Sequence, residues 1–298
     1  MLPLQSIKEF IFLILSVILD LNLLFIVETL STTIGAMLAL VKVFLACLSI
    51  KCLLLSESSI DFLAELVELC ANAYETRNLA NTLFTYKNED GLAIKVYKKE
   101  DSIIAAFKGT TLVFFAETNG NSDKTMNNSI FKCCYEEECE EARQKTLEKV
   151  GYLQDSVNLV GTLKVLYPDK KIILTGHSLG GGLASIVGRL TGNEVFAFSS
   201  PGEKFFSDIL TGADESKIFH FGVCSDPVYV GDCVGNLSLC RIMGYNFQTR
   251  RHSGTKYCFG QSAYQNIITH KINYLKYALR KESYAHEMDE NALEDCIL

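Results

Sequence analysis

The chain has 298 residues, 48% of them hydrophobic and 21% charged, which suits one sizeable core with an apolar appendage. A formal net charge of −7 and the lack of any long basic run exclude nucleic acid as the expected partner. Eleven cysteines occur without a Cys-x-x-Cys pair or a zinc-type His/Cys spacing, so no metal or other cofactor is expected. Their clustering at Cys133, Cys134 and Cys139 and again from Cys224 to Cys258 favours disulfides in an oxidising compartment over buried thiols, with the pairing left open.

From Phe10 to Val27 the chain is apolar except for Ser16, Asp20 and Asn22. On an insertion scale its aliphatic and aromatic residues contribute about −7 kcal/mol against about +3 kcal/mol for Asp20, so this stretch is expected to enter a membrane. Thr32 to Ile50, with Lys42 near its centre, sits close to balance. One span or a two-span hairpin both follow, and they place the rest of the chain on opposite sides or on the same side. In the hairpin Asp20 and Lys42 reach nearly the same depth, roughly 12–13 Å from the turn at 1.5 Å per residue, and are expected to pair. Residues 1–56 are read as the anchor region.

An amphipathic helix is expected from Ile60 to Tyr74, capped at Ser59, with Phe62, Leu63, Leu66, Val67 and Cys70 facing inward. Leu92–Val96 and Ser102–Phe107 read as paired strands across the charged turn Lys98–Asp101. Lys108-Gly109-Thr110 ends the second strand, where it is either an ordinary turn or places the Thr110 N–H as an oxyanion donor. Leu112–Ala116 and Ile130–Cys134 are apolar about a loop-like Asn119–Asp123, and the whole of 112–134 reads as a lid. The acidic run from Glu136 to Glu141 complements a helix start, and apolar residues continue at helical spacing to Leu166 before Pro168.

Lys171 to Gly182 is the most informative stretch: a buried strand (Ile172, Ile173, Leu174), a turn, and an apolar-periodic helix. Gly176-His177-Ser178-Leu179-Gly180 fits the Gly-x-Ser-x-Gly nucleophile elbow. A serine lifted from a sharp strand-to-helix turn needs minimal side chains two residues before and after it, and glycine removes the Cβ clash. The Leu179 N–H, at a helix start, then points toward negative charge developing on an attacked carbonyl. His177 is expected to pack away from the serine.

Glu194–Ser199 and Lys217–Val223 read as further strands, giving an α/β plan around the elbow, with His220 a core strand residue. A serine hydroxyl needs a histidine to take its proton and an acid to orient that histidine. Asp226, just past a strand end and stiffened by Pro227, is read either as that acid or as an Asx-turn aspartate. His252, in a turn of an expected hairpin between Tyr245–Thr249 and Lys256–Phe259, and His286, in the tail, are alternative bases. His270, immediately before a last helix at Ile272–Leu279, is preferred. Residues 57–280 form the expected catalytic domain and 281–298 a polar C-terminal tail.

Together Phe107-Lys-Gly-Thr110, the elbow, Asp123-Lys124 to Asn128, Phe131-Lys-Cys-Cys134, Ser200-Pro-Gly-Glu203, Asp226-Pro227, Cys240–Tyr245 and His252-Ser-Gly254 resemble the fungal class 3 lipases, in particular their autophagy-related vacuolar branch. The resemblance covers about residues 57–280. It implies an α/β-hydrolase fold and a membrane-anchored glycerolipid or phospholipid hydrolase, delivered by the secretory route to a vacuole or lysosome-like lumen, where it breaks down membranes. Carried over residue by residue, it makes Ser178 the nucleophile, Asp226 the acid, His270 the base, and Thr110 with Leu179 the oxyanion hole. Asn127 and Asn236 become glycosylation acceptors. Lacking Trp, the lid would meet a lipid surface through Phe114, Phe115, Ile130 and Phe131. A soluble-ester esterase with a targeting anchor, or a membrane-tethered binding protein without catalysis, are the competing expectations.

Overall fold

The computed structural model describes residues 37, 52–110, 120–131, 151–210, 214–231, 244–245, 251–260, 264–282 and 284–288. The chain divides into two compact units, Met1–Cys52 and Leu53–Leu298. The expected spans Phe10–Val27 and Thr32–Ile50, and the Asp20–Lys42 pair, lie outside the described residues. Among the described residues no helix is long and apolar enough to cross a membrane.

Strands β1 (Cys52–Leu54), β2 (Thr82–Lys87), β3 (Ala93–Lys98), β4 (Ser102–Phe107), β5 (Lys171–His177), β6 (Glu194–Phe198), β7 (Ile218–Val223), β8 (Thr255–Phe259) and β9 (Tyr284–Glu287) form one sheet. Their order is β1-β9-β8-β7-β6-β5-β4-β3-β2. The centre from β4 to β8 is parallel, and β2, β3 and β9 join it antiparallel. Among the described residues the helices are α1 (Glu57–Asn72), α2 (Gly120–Ile130), α3 (Tyr152–Leu166), α4 (Leu179–Thr191), α5 (Lys204–Leu210) and α6 (Ile272–Lys281), with a 3₁₀ turn at Ile267–His270.

Strand periodicity of two sorts the central side chains into two cores. Ile103, Ala105, Phe107, Ile172 and Leu174 pack with α2, α3 and α4 on one face. Ile104, Ala106 and Ile173 pack with Leu63, Leu66 and Val67 of α1 and Leu275 and Leu279 of α6 on the other. Both faces are covered, so β4 and β5 read as near-continuous apolar runs. Every residue from Leu179 to Arg189 is buried, which makes α4 a core helix rather than a surface one.

Several expectations shift. The cap of α1 is Ser56, whose Oγ accepts from Ser59 N at 3.2 Å, so the helix starts three residues before Ile60. A serine run offers several candidate caps, and the one chosen is set by where Leu63 and Leu66 must meet the sheet. Strand β8 pairs with β7 on one side and β9 on the other. Both of its edges are filled, so no hairpin partner from Tyr245–Thr249 can lie beside it, and residues 246–250 are outside the described residues. The tail expected from residue 281 begins instead with a sheet strand at Tyr284–Glu287. The loop-like stretch before Asp123 is the first turn of α2, and Met126, Ile130 and Phe131 at its end are buried in the core. Ile130 and Phe131 are therefore packing residues and not interfacial contacts. The Phe131 ring fills the space over Gly182, where an added Cβ would stand 2.5 Å from Cζ. Phe114, Phe115, the 136–141 acidic run and the two ends of the expected lid, 112–119 and 132–134, lie outside the described residues.

Among the described residues a disulfide joins Cys224, just past β7, to Cys258 in β8. It closes a long loop beside Asp226, and replacing both cysteines by serine is expected to lower the unfolding free energy by about 3–4 kcal/mol, measurable by denaturant titration. Cys70, buried against Thr175 Oγ1 at 3.2 Å, is a free thiol. Burial pushes its pKa up to about 12. It is an inert core residue.

Candidate active site

Ser178 sits between β5 and α4 with φ 57 and ψ −129, a left-handed conformation that a side chain resists. The turn closes only because its flanks are glycine. A Cβ on Gly176 would stand 2.3 Å from Gly180 O, and one on Gly180 would stand 2.2 Å from Phe107 O. Ser178 N donates to Phe198 O at 3.0 Å, which ties the bend to β6.

Three loops at the carboxyl ends of parallel strands bring partners to it. His270 Nε2 lies 2.9 Å from Ser178 Oγ. His270 Nδ1 lies 3.0 and 3.2 Å from the carboxylate oxygens of Asp226, which is fully buried. A carboxylate only accepts, so Nδ1 carries the hydrogen and Nε2 presents its lone pair to the serine hydroxyl. Asp226 Oδ1 also accepts from Val228 N at 3.0 Å. The loop before His270 is held by Asn266, whose N–H bonds Ser225 O at 2.9 Å and whose Oδ1 accepts from Ile268 N at 3.0 Å. Histidine and acid are thus positioned by one shared loop contact, which their separation in sequence gives no sign of.

Leu179 opens α4, where the first N–H groups have no intrahelical acceptor. Lys108-Gly109-Thr110 runs beside the bend: a Cβ on Gly109 would stand 3.2 Å from Ser178 Cβ. Thr110 Oγ1 accepts from Asn127 Nδ2 at 2.7 Å. Asn127 is only 1% exposed, so it supports Thr110 and is no glycosylation acceptor; Asn236 lies outside the described residues. Asp123, on the same helix, accepts from Tyr152 Oη at 2.7 Å and lies 4.0 Å from Lys108 Nζ. Helix α2 therefore buttresses the Thr110 segment.

The alternative bases are elsewhere. His252 is fully buried and bonds Tyr229 O, and His286 belongs to β9. His220 is a buried β7 residue, as expected.

His177 does more than pack. Its Nε2 lies 2.9 Å from His270 O and its Nδ1 lies 3.0 Å from Tyr74 Oη. The carbonyl can only accept, so Nε2 donates, Nδ1 accepts, and the Tyr74 hydroxyl donates. The phenol oxygen also stands against Gly109, where an added Cβ would come within 2.2 Å of it. One hydrogen-bond chain thus runs from Tyr74, packed against Gly109, through His177 to the backbone of His270. No spacing in the sequence signals Tyr74. Tyr74→Phe leaves the buried His177 Nδ1 without its donor and is expected to cost about 1–3 kcal/mol of stability, read by denaturant titration.

Burial first, and then the neighbouring His270, push the His177 pKa down to about 3. Its folded value lies below the ordinary 6.5 of the unfolded chain, so the stability from neutral His177 is complete above pH 6.5 and is lost as pH falls toward 3. The denaturation midpoint is expected to fall across that window, and less steeply in His177→Gln.

The fold is α/β, a mixed sheet with a serine on its strained strand-to-helix turn and a histidine and aspartate hydrogen-bonded behind it. Residues 117–228 match the family model described as lipase (class 3), bearing out the resemblance to that family; the match includes Ser178 and Asp226 and stops short of His270. The curated protein "Putative lipase ATG15" of Vanderwaltozyma polyspora is 34% identical over 209 residues, 58% of this chain and 37% of that protein. Its namesake in Kluyveromyces lactis is 30% identical over 225 residues, 62% of this chain and 42% of that protein. The chain thus spans less than half the length of these relatives. Among solved structures, a lipase from Rhizopus microsporus var. chinensis aligns with a TM-score of 0.46 at 14% identity, covering 74% of this chain and 88% of that one.

Proposed function

We propose that the chain is a serine acyl hydrolase of the lipase type, cleaving carboxylic ester bonds of glycerolipids or phospholipids, with residues 57–280, extended by β9, as its catalytic unit. The observation that carries the reading is the hydrogen-bond chain from Ser178 Oγ through His270 to buried Asp226, built on a serine held at φ 57. Ser178 Oγ attacks the ester carbonyl while His270 Nε2 takes its proton, and Asp226 stabilises the imidazolium. The N–H groups of Leu179 and Thr110 receive the oxyanion. His270 then protonates the departing alcohol, leaving an acyl-serine. Water activated by the same histidine releases the fatty acid and restores Ser178.

The relatives named as lipases support a lipid substrate. The apolar stretch Phe10–Val27 supports work at a membrane surface, and the disulfide at Cys224–Cys258 suits a secretory-route lumen of the vacuolar kind. The test is labelling of the full chain by a fluorophosphonate probe, alongside fatty-acid release from glycerolipid vesicles. Labelling that persists in Ser178→Ala, or an unlabelled wild-type chain that folds, sinks the proposal.

A further inference from the structure

Glu203, His220 and His252 are fully buried outside the Ser178 site and come from three separated stretches: the turn after β6, strand β7 and the segment before β8. One donor atom from each lies within 4.8 Å of the others. We propose that these three side chains bind one divalent transition-metal cation of the zinc class, which cross-links the segments behind Asp226.

His252 Nε2 lies 2.9 Å from Tyr229 O, which only accepts, so Nε2 carries the hydrogen and Nδ1 presents a lone pair. That lone pair faces Glu203 Oε2 at 3.7 Å, and neither atom has a hydrogen-bond partner. Two acceptors facing each other in a dry interior repel unless positive charge lies between them. A shared proton would draw nitrogen and oxygen to about 2.7–3.2 Å. The 3.7 Å here falls nearer the edge of a tetrahedron around zinc, about 3.4 Å for metal–ligand bonds of about 2.0–2.2 Å, and His220 Nε2 lies 3.5 Å from the other oxygen of the same carboxylate.

The surroundings fit ligation by neutral imidazoles. His220 Nδ1 lies 2.9 Å from Ser200 Oγ, to which it can donate, freeing Nε2. Each ring then gives the one N–H on its other nitrogen to a protein oxygen, the arrangement that orients histidine ligands at metal centres. Glu203 Oε1 accepts from Ser185 Oγ at 2.6 Å and Ser253 N at 3.0 Å, which fixes the carboxylate with Oε2 toward His252. Ser185 Oγ, 3.4 Å from His220 Nε2, offers a fourth oxygen. The nearby Arg189, bonded to Ser253 Oγ at 3.1 Å, has its charge balanced by Asp208 at 2.9 Å and Glu215 at 3.3 Å. No zinc-type spacing announces this site because its ligands meet only through the sheet topology. Tyr229, bonded by His252, follows Asp226 in the same loop, so the ion would brace the acid from behind and touch no substrate.

The test is metal content of the full chain produced with zinc and, separately, with cobalt, then dialysed. About one ion per chain is expected, with a cobalt spectrum of a tetrahedral nitrogen-and-oxygen site lacking thiolate charge-transfer bands, which separates it from binding at the cysteines. Glu203→Gln and His252→Gln are expected to lose the ion, and chelation of the wild type to lower Tm until zinc is restored. A folded wild-type chain with metal content near zero, a thiolate-type spectrum, or ion retention in folded Glu203→Gln overturns the proposal. Should Glu203→Gln fail to fold, the wild-type content and cobalt spectrum decide alone. Metal content is read without substrate, so its outcome is independent of the hydrolase reading.

Discussion

Ser178→Ala is expected to lower ester hydrolysis by about 10⁶-fold, the scale of losing a serine nucleophile from a group of residues that acts as a unit. Release of fatty acid from vesicles under saturating substrate measures it. The same variant should fold normally, because alanine keeps the Cβ and gives up only the 2.9 Å contact with His270 Nε2. Ser178→Gly separates catalysis from strain. With φ at 57, any side chain at this position is disfavoured, so glycine should be equally inactive yet more stable than alanine by about 1 kcal/mol. Equal stability of the two variants would mean that the bend stores no strain. Retained hydrolysis in either would remove Ser178 from the mechanism.

The bend was legible because its steric demand is local. Gly176 and Gly180 are needed by each other and by Phe107 O, and a glycine two residues on either side of a serine, after Ile172–Leu174, is visible without any tertiary contact. Asp226 was legible for a related reason: it follows β7, and functional groups in such sheets gather past strand ends. What stayed hidden depends on distant partners. Strand β2 is half-exposed, with the burial of an edge, and carries little periodic signal. Residues 255–259 looked like half of a hairpin, since strand propensity does not say which neighbours a strand will choose, and β8 chose β7 and β9. The polar helix α2 looked like loop because Asn, Ser and Asp favour turns in isolation; its burial against α4 and Tyr152 overrides that preference. The roles of Tyr74 and His177 are hidden for the same reason. One follows the amphipathic helix α1 and the other flanks the serine, and only the folded sheet shows that they are linked to each other and to the backbone of His270.

Asp226→Asn should cost about 10⁴-fold in kcat with the fold preserved. The native carboxylate accepts from His270 Nδ1 through either oxygen while Oδ1 also holds Val228 N. Asparagine can keep the Val228 contact with its Oδ1, and doing so turns its amide nitrogen toward His270. An amide N–H facing Nδ1 requires that ring nitrogen to accept, so the hydrogen moves to Nε2, the atom 2.9 Å from Ser178 Oγ. The imidazole then meets the serine as a donor and cannot take its proton. Because the defect is a tautomer and not a cavity, it should appear in kcat with KM nearly unchanged, and the denaturation midpoint should move little. Fluorophosphonate labelling of Ser178 should slow in parallel, since that reaction needs the same proton transfer. A variant that labels at the wild-type rate would show that Asp226 only braces its loop through Val228, and the assignment of the acid would have to move elsewhere.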